Sequence, residues 1–317
     1  MKKVLVTATN YSKYCREGKQ LLLDYGCEII ENPYGYAYPR EELKRLVRDI
    51  HGAVVGIDSW DEELFKLAPN LQAIARFGVG VDNIDLEGAK EHGVIVSNCP
   101  GINTSAVAEL ALGLMLSLTR RIPALNEGTR RGEWARPMTH ELKSQTVGLL
   151  GFGAIARNLA GKLKPFGARM IAYDKFPDQQ SAGHLGVELM CVGRLLEESD
   201  IISIHIPATD ETRGFINDET IAGMKPGVYI VNTARSSIVD ERALYRGLKS
   251  GKIAGYGTDV LDRDPASGEN PLLEFPECIV TPYTAAETYE NYAATGIATA
   301  QALISVFNGE EPRNRLA

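Results

Sequence analysis

The sequence predicts an α/β protein built from two doubly wound parallel-sheet domains, and three observations lead there. Short apolar runs alternate with helical patterns along nearly the whole chain, and strict alternation of this kind builds a parallel sheet with helices on both faces. At 317 residues the chain exceeds what one ordinary core holds. A single glycine fingerprint, Gly151-Phe152-Gly153-Ala154-Ile155-Ala156, sits near mid-chain, which leaves a unit's worth of sequence before it.

Taken in order, strand runs are expected at 4–7, 28–30, 53–56, 73–76 and 94–97, separated by helical patterns at 18–25, 41–48, 61–67 and 86–92. A long amphipathic helix at 104–119 then leads into the central unit. There the apolar run 146–150 feeds the glycine turn. The helix that follows, 154–166, places Ile155, Leu159 and Leu163 on one face, and the run 170–173 ends at Asp174. Further strands follow at 201–205, 228–232, 254–260 and 278–280. The tail 285–306 reads as one long helix that packs back on the first domain. The expected division is therefore residues 1–100 plus 287–317 as a flavodoxin-like substrate domain, with 101–286 inserted as a nucleotide-binding Rossmann domain.

The fingerprint is informative because of its strand–turn–helix–strand setting. The first glycine allows the tight turn, the second lets backbone approach a pyrophosphate, and Ala156 stays small so that helix and strand pack. The helix N-terminus presents unpaired N–H groups and the positive end of its dipole to phosphates. An acid at Asp174 hydrogen-bonds a ribose 2′-hydroxyl and repels a 2′-phosphate, which favours NAD over NADP.

Composition excludes several classes. Hydrophobic residues make up 44% and charged residues 24%, an ordinary globular mix. A net charge of −7 and a pI near 5.4 argue against a nucleic-acid partner or an anionic membrane surface. The start of the chain turns polar by Thr7, too soon for a signal peptide, and the longest apolar stretch, 106–118, contains Glu109 and cannot span a bilayer. Cys15, Cys27, Cys99, Cys191 and Cys278 are odd in number and lack C-x-x-C spacing. They read as reduced thiols of a cytoplasmic protein, with no metal site expected.

Beyond the fingerprint, a series of ordered motifs resembles the D-isomer-specific 2-hydroxyacid dehydrogenases, the family that includes D-3-phosphoglycerate dehydrogenase and glyoxylate/hydroxypyruvate reductases. The motifs are Ala75-Arg76-Phe77-Gly78-Val79-Gly80-Val81-Asp82-Asn83-Ile84-Asp85, Asn98-Cys99-Pro100-Gly101, Ala106-Val107-Ala108-Glu109, His205-Ile206-Pro207-Ala208-Thr209, Met224-Lys225-Pro226-Gly227, Val231-Asn232-Thr233-Ala234-Arg235, Ile238-Val239-Asp240-Glu241, Gly255-Tyr256-Gly257-Thr258-Asp259-Val260 and Thr281-Pro282. The resemblance implies an NAD-dependent oxidoreductase that interconverts a D-2-hydroxy acid and its 2-keto acid. It places substrate at the 78–80 loop, with Val79 and Gly80 offering backbone N–H groups to a carboxylate, and at Arg235, whose planar fork suits carboxylate and carbonyl oxygens. It places cofactor against Thr104, Gly151, Gly153, Ala154, Ile155, Asp174, His205, Ile206, Pro207, Thr212, Thr233, Ala234 and Asp259, the last orienting the nicotinamide carboxamide. His205 carries no acid–base role in this reading.

The sequence departs from the family at the proton-transfer pair. The family's glutamate and histidine positions hold Asp264 and Tyr283, and Ser236 stands where a glycine usually follows the arginine. His51, His92, His140 and His184 lie in segments that do not match the site. Tyrosine as a residue type titrates near 10, against about 6.5 for histidine, so near neutrality it is stocked as an acid and poor as a base. Three readings stay open. In one, Tyr283 donates the proton during reduction of a 2-keto acid, with Asp264 refitted beside it. In a second, Tyr283 only packs against the nicotinamide while water or another group moves the proton slowly. In a third, the chain is a catalytically weakened NAD(H) sensor or scaffold, as in the related C-terminal-binding corepressors.

For substrate, Arg76 and Arg136 match basic positions linked to phosphate recognition in phosphoglycerate dehydrogenases, which suits 3-phosphoglycerate or phosphohydroxypyruvate. The alternative is that these arginines are solvated or ion-paired, with Arg130 and Arg131 close by, and that glyoxylate or hydroxypyruvate is the substrate type. The sequence stops at Ala317, so regulation through a C-terminal serine-binding extension is not expected. The family habit implies a homodimer formed through the 104–118 helix and the 121–136 arm.

Overall fold

The computed structural model describes residues 1–262 and 269–317. The chain divides into two compact units, Met1–Asn103 with Ala286–Ala317, and Thr104–Ala285.

The first unit is a five-stranded parallel sheet of β1 (Lys2–Val6), β2 (Cys27–Glu31), β3 (Gly52–Val55), β4 (Ala73–Arg76) and β5 (Ile95–Ser97), in the order β2-β1-β3-β4-β5. Val4, Leu5, Val6, Ala53, Val54 and Val55 are fully buried, because helices cover both sheet faces and every side chain of a central strand meets a core. The helix Tyr289–Phe307 packs on the helix Arg16–Asp24 at a crossing that admits no side chain. A Cβ on Gly18 would lie 2.2 Å from the Gly296 carbonyl oxygen, and one on Gly296 would lie 2.5 Å from the Cβ of Cys15. The sequence pattern places the start of this tail helix at residue 285, but it begins at Tyr289. Thr288 is extended (φ −119°, ψ 151°) and its hydroxyl accepts the Asn291 N–H, so the cap fixes the boundary four residues later.

The second unit is a seven-stranded parallel sheet of β6 (Thr146–Leu150), β7 (Arg169–Tyr173), β8 (Val187–Leu189), β9 (Ile201–Ile204), β10 (Val228–Asn232), β11 (Ile253–Thr258) and β12 (Cys278–Val280). Its order is β12-β11-β10-β9-β6-β7-β8. Strand β8 escapes sequence reasoning because it is a three-residue edge strand with only Val187 buried, too short to show a period. The helix Thr104–Thr119 places Ala108, Ala111, Leu114, Met115 and Leu118 in one core with Leu159 and Leu163 of the fingerprint helix. Strand order reverses between β6 and β9, and a doubly wound sheet opens its ligand crevice at the carboxyl ends of the strands at such a reversal. Among the described residues no helix is long and apolar enough to cross a membrane.

Candidate active site

The carboxyl edge of the seven-stranded sheet collects most of the residues singled out above. Strand β6 runs into Gly151, whose φ of +95° favours glycine. The chain at 205–206 passes so close that a Cβ on Gly151 would lie 2.7 Å from the His205 carbonyl carbon and 2.8 Å from the Ile206 nitrogen. Gly153 then caps the helix Ala154–Leu163 in an extended conformation, with no side-chain hydrogen bond to the first turn. No atom lies within 4 Å of where its Cβ would be. Gly153 and Ala154 are exposed, Ile155 is half-buried, and Ala156 is fully buried in the helix–strand contact. The result is an open cradle at a helix N-terminus whose first N–H groups still need acceptors.

Asp174 leaves β7 beside this cradle. Its Oδ2 accepts the Phe152 N–H at 2.7 Å and its Oδ1 accepts the Phe176 N–H at 2.8 Å. The acid therefore braces the glycine turn from the position where a ribose would meet it. At the end of β10 the buried Thr233 hydroxyl has no hydrogen-bond partner among the described residues. His205 follows β9 with Nε2 2.9 Å from the Ser203 hydroxyl, and desolvation by burial pushes its pKa down to about 4. It is neutral across the physiological range and lines the crevice as a fixed dipole. Thr212 donates to the Pro207 carbonyl at 2.6 Å and accepts the Thr209 N–H at 2.8 Å, which folds the 207–212 turn and leaves Ile206 half-buried and Pro207 exposed. An open helix N-terminus, a braced acid and an orphaned hydroxyl along one edge fit a bound dinucleotide.

The chemistry-bearing residues come from three adjacent strands, β10, β11 and β12. The buried Asn232 side chain accepts the Ala234 N–H at 3.0 Å and donates to the Arg235 carbonyl at 3.0 Å, so it shapes the turn that presents Arg235. Sequence reasoning overlooked Asn232. Its signal was an amide closing an apolar strand, where such side chains bond to nearby backbone. Arg235 is half-buried, and one Nη donates to the Ala234 carbonyl at 2.8 Å. Strand β11 delivers Asp259, which is 4% exposed, and β12 delivers the turn through Tyr283. Tyr283 is exposed and sits at a φ of +55°. The other acid–base candidate, Asp264, lies outside the described residues. Thr104 opens the first helix of this unit.

In the first unit the loop after β4 has its carbonyls satisfied within the protein and, among the described residues, two of its N–H groups left over. Its four carbonyls are all engaged. Arg76 donates from one Nη to Phe77 and from Nε to Gly80 at 2.8 Å, the Cys99 N–H donates to Gly78 at 2.8 Å, and the Asn98 amide donates to Val79 at 2.8 Å. Among the described residues the N–H groups of Val79 and Gly80 meet no protein acceptor. Arg76 thus commits two of its donors to bracing the loop, and Arg136 lies in the exposed stretch that follows the helix Ile122–Arg130.

Residues 112–285 match the profile of the D-isomer specific 2-hydroxyacid dehydrogenase NAD binding domain. Over 278 residues the chain is 40% identical to a D-3-phosphoglycerate dehydrogenase of Archaeoglobus fulgidus, a match that covers 87% of this chain and 53% of that one. The chain belongs to the D-isomer specific 2-hydroxyacid dehydrogenase family. It is also 36% identical over 300 residues to a glyoxylate reductase of Thermococcus litoralis, covering 92% of this dehydrogenase-family chain and 90% of the relative. The apo-structure of the D-lactate dehydrogenase of Escherichia coli superposes with a TM-score of 0.88 at 29% identity over all of both chains. The chain spans about half the length of the D-3-phosphoglycerate dehydrogenases it matches. Two parallel sheets with interleaved helices are the architecture of this family's structures, and the Thr104–Ala285 unit contains its NAD-binding domain.

Proposed function

We propose that this family member interconverts a small D-2-hydroxy acid and its 2-keto acid with NAD, the cytoplasm being the expected setting. One observation carries the reading: a single sheet edge holds an open phosphate cradle, an acid braced against it, and Arg235 and Tyr283 in the turns that follow strands β10 and β12. The helix N-terminus at Gly153 and Ala154 holds the pyrophosphate, Asp174 takes a ribose hydroxyl, and Thr233, Ala234 and the 205–212 segment line the rest. When bound, NAD would supply the hydride chemistry at C2, as acceptor from the hydroxy acid or, in its reduced form, as donor to the 2-keto acid. The Val79 and Gly80 N–H groups bind the substrate carboxylate. Arg235 grips carboxylate and carbonyl oxygens with its planar fork and draws electron density towards the C2 oxygen. Tyr283 donates its phenolic proton to that oxygen in reduction, with Asp264 as its partner carboxyl group. The engagement of Arg76 by its own loop favours the glyoxylate or hydroxypyruvate type over a phosphorylated substrate. Trp134 and Met138, 82% and 94% exposed, supply apolar surface for a homodimer contact through the 121–136 arm and its continuation.

The test follows NADH absorbance with a panel of 2-keto acids, phosphohydroxypyruvate included, for the native chain and Tyr283→Phe. Turnover is expected, with a fall of about 100-fold or more in Tyr283→Phe and unchanged NADH affinity. Tight NADH binding without turnover on any acid would instead favour the sensor reading.

A further inference from the structure

We infer that Asp259 is a positioning residue that sets the pose of Tyr283 through the 281–285 turn. The inference rests on Tyr283 being the proton donor proposed above. Strands β11 and β12 are parallel neighbours with Thr258 opposite Val280, so the residues that follow them, Asp259 and Thr281, emerge side by side. The buried Asp259 carboxylate then gathers the turn. Its Oδ1 accepts the Thr281 hydroxyl at 2.5 Å, the Thr284 N–H at 2.8 Å and the Thr284 hydroxyl at 3.4 Å. Its Oδ2 accepts the Ala285 N–H at 2.8 Å. Its backbone carbonyl accepts the N–H of Tyr283 itself at 3.2 Å. Every residue of the turn except Pro282 is therefore bonded to Asp259.

Two further observations make this grip consequential for chemistry. Tyr283 holds a φ of +55°, in the left-handed region that a bulky residue enters only when its surroundings hold it there. Its phenol makes no protein hydrogen bond among the described residues, and the side chain is 44% exposed. The Cα–Cβ direction from which the phenol extends is thus set by the backbone pose, and the backbone pose by Asp259. A carboxylate offers about four acceptor sites, and the four donors of the turn fill most of that capacity. That places Asp259 inside the protein's own scaffolding, where the family resemblance alone would assign it to the cofactor.

The experiment compares Thr281→Ser, Thr281→Val and Asp259→Asn, each alone and combined with Tyr283→Phe. It measures kcat, KM for the best 2-keto acid, and NADH affinity by fluorescence. Asp259→Asn, which offers an NH2 group where an acceptor is needed, should lower kcat by about 10-fold or more while NADH affinity moves less than about 2-fold. Thr281→Val should lower kcat by at least about 3-fold and Thr281→Ser, which keeps the hydroxyl, should retain it. In the Tyr283→Phe background neither Thr281→Val nor Asp259→Asn should slow turnover further. Losses that multiply in the double variants overturn the inference. So does an Asp259→Asn protein with normal kcat and NADH binding weakened about 10-fold, the signature of direct cofactor contact. If Asp259→Asn fails to fold, the Thr281 pair decides alone. Native turnover in Tyr283→Phe removes both the proton-donor reading and this inference. A slow Tyr283→Phe beside fast Asp259→Asn and Thr281→Val removes this inference only.

Discussion

The two glycines of the fingerprint do different jobs, and alanine substitution separates them. At Gly151 an alanine meets two penalties. A non-glycine residue at a φ of +95° loses about 1–2 kcal/mol. The new Cβ also sits 2.7 Å from the His205 carbonyl carbon and 2.8 Å from the Ile206 nitrogen. Both atoms are backbone, so the segments that follow the two strands must shift, at a penalty of about 1–3 kcal/mol. Together these remove about 2–5 kcal/mol from the second unit, a large share of a typical domain stability of about 5–15 kcal/mol. At Gly153 the same substitution meets open space at an ordinary φ of −75°, so stability should change by about 1 kcal/mol at most. There the methyl group occupies the cradle itself. An overpacking penalty of about 1–3 kcal/mol on the bound state corresponds to NADH binding weakened by about 5- to 150-fold. Urea unfolding followed by circular dichroism reads the first effect and an NADH fluorescence titration reads the second. A Gly151→Ala protein as stable as the parent, or a Gly153→Ala protein that binds NADH like the parent, would refute the division of roles.

Two further outcomes follow from the geometry. Gly18→Ala should destabilise the first unit by about 3 kcal/mol or more, because the contact at 2.2 Å is with helix backbone and the helices must separate; thermal unfolding with a native-like midpoint would contradict it. Because the folded His205 imidazole is held down to about 4 while an unfolded one titrates near 6.5, the unfolded chain takes up the proton first on acidification. Its contribution should be complete above about pH 6.5 and fall by up to about 3 kcal/mol towards pH 4, so urea midpoints of native and His205→Gln proteins should converge across that window.

Much of this architecture is legible in the residues because parallel strands buried on both faces read as plain apolar runs. Val147 to Leu150 and Ile201 to Ile204 are examples, each closed by a residue that changes direction. The glycine turn is legible for the same reason: few residue types fit a positive φ beside a passing strand. What the pattern misses is held by side chain to backbone bonding. Asn232 and Thr288 set a turn and a helix start through side chain to backbone hydrogen bonds that no periodicity announces. The engagement of Arg76 is equally invisible in one dimension, since an arginine before a glycine loop reads the same whether its fork meets a phosphate or the carbonyls of its own loop. The conformation of Tyr283 belongs to this group too: the substitution is plain in the sequence, but the left-handed backbone depends on Asp259, twenty-odd residues earlier and one strand away.

The Gly18–Gly296 crossing also imposes an order on synthesis. The helix Arg16–Asp24 leaves the ribosome long before its partner Tyr289–Phe307 exists, an interval of roughly 15–60 s at about 5–20 residues per second. Throughout it the groove around Gly18 and Leu22 stands uncovered, and the faces of β3 and β4 that the helix Tyr289–Phe307 later covers stay wet. The Thr104–Ala285 unit, continuous in sequence, is complete before that wait ends. The nucleotide-binding half is therefore able to mature on the nascent chain, while the half that carries the 78–80 loop depends on the helix Tyr289–Phe307. Chaperone engagement and aggregation during expression should fall on that half, and substitutions at this crossing should lower yield before they alter any property of the purified protein.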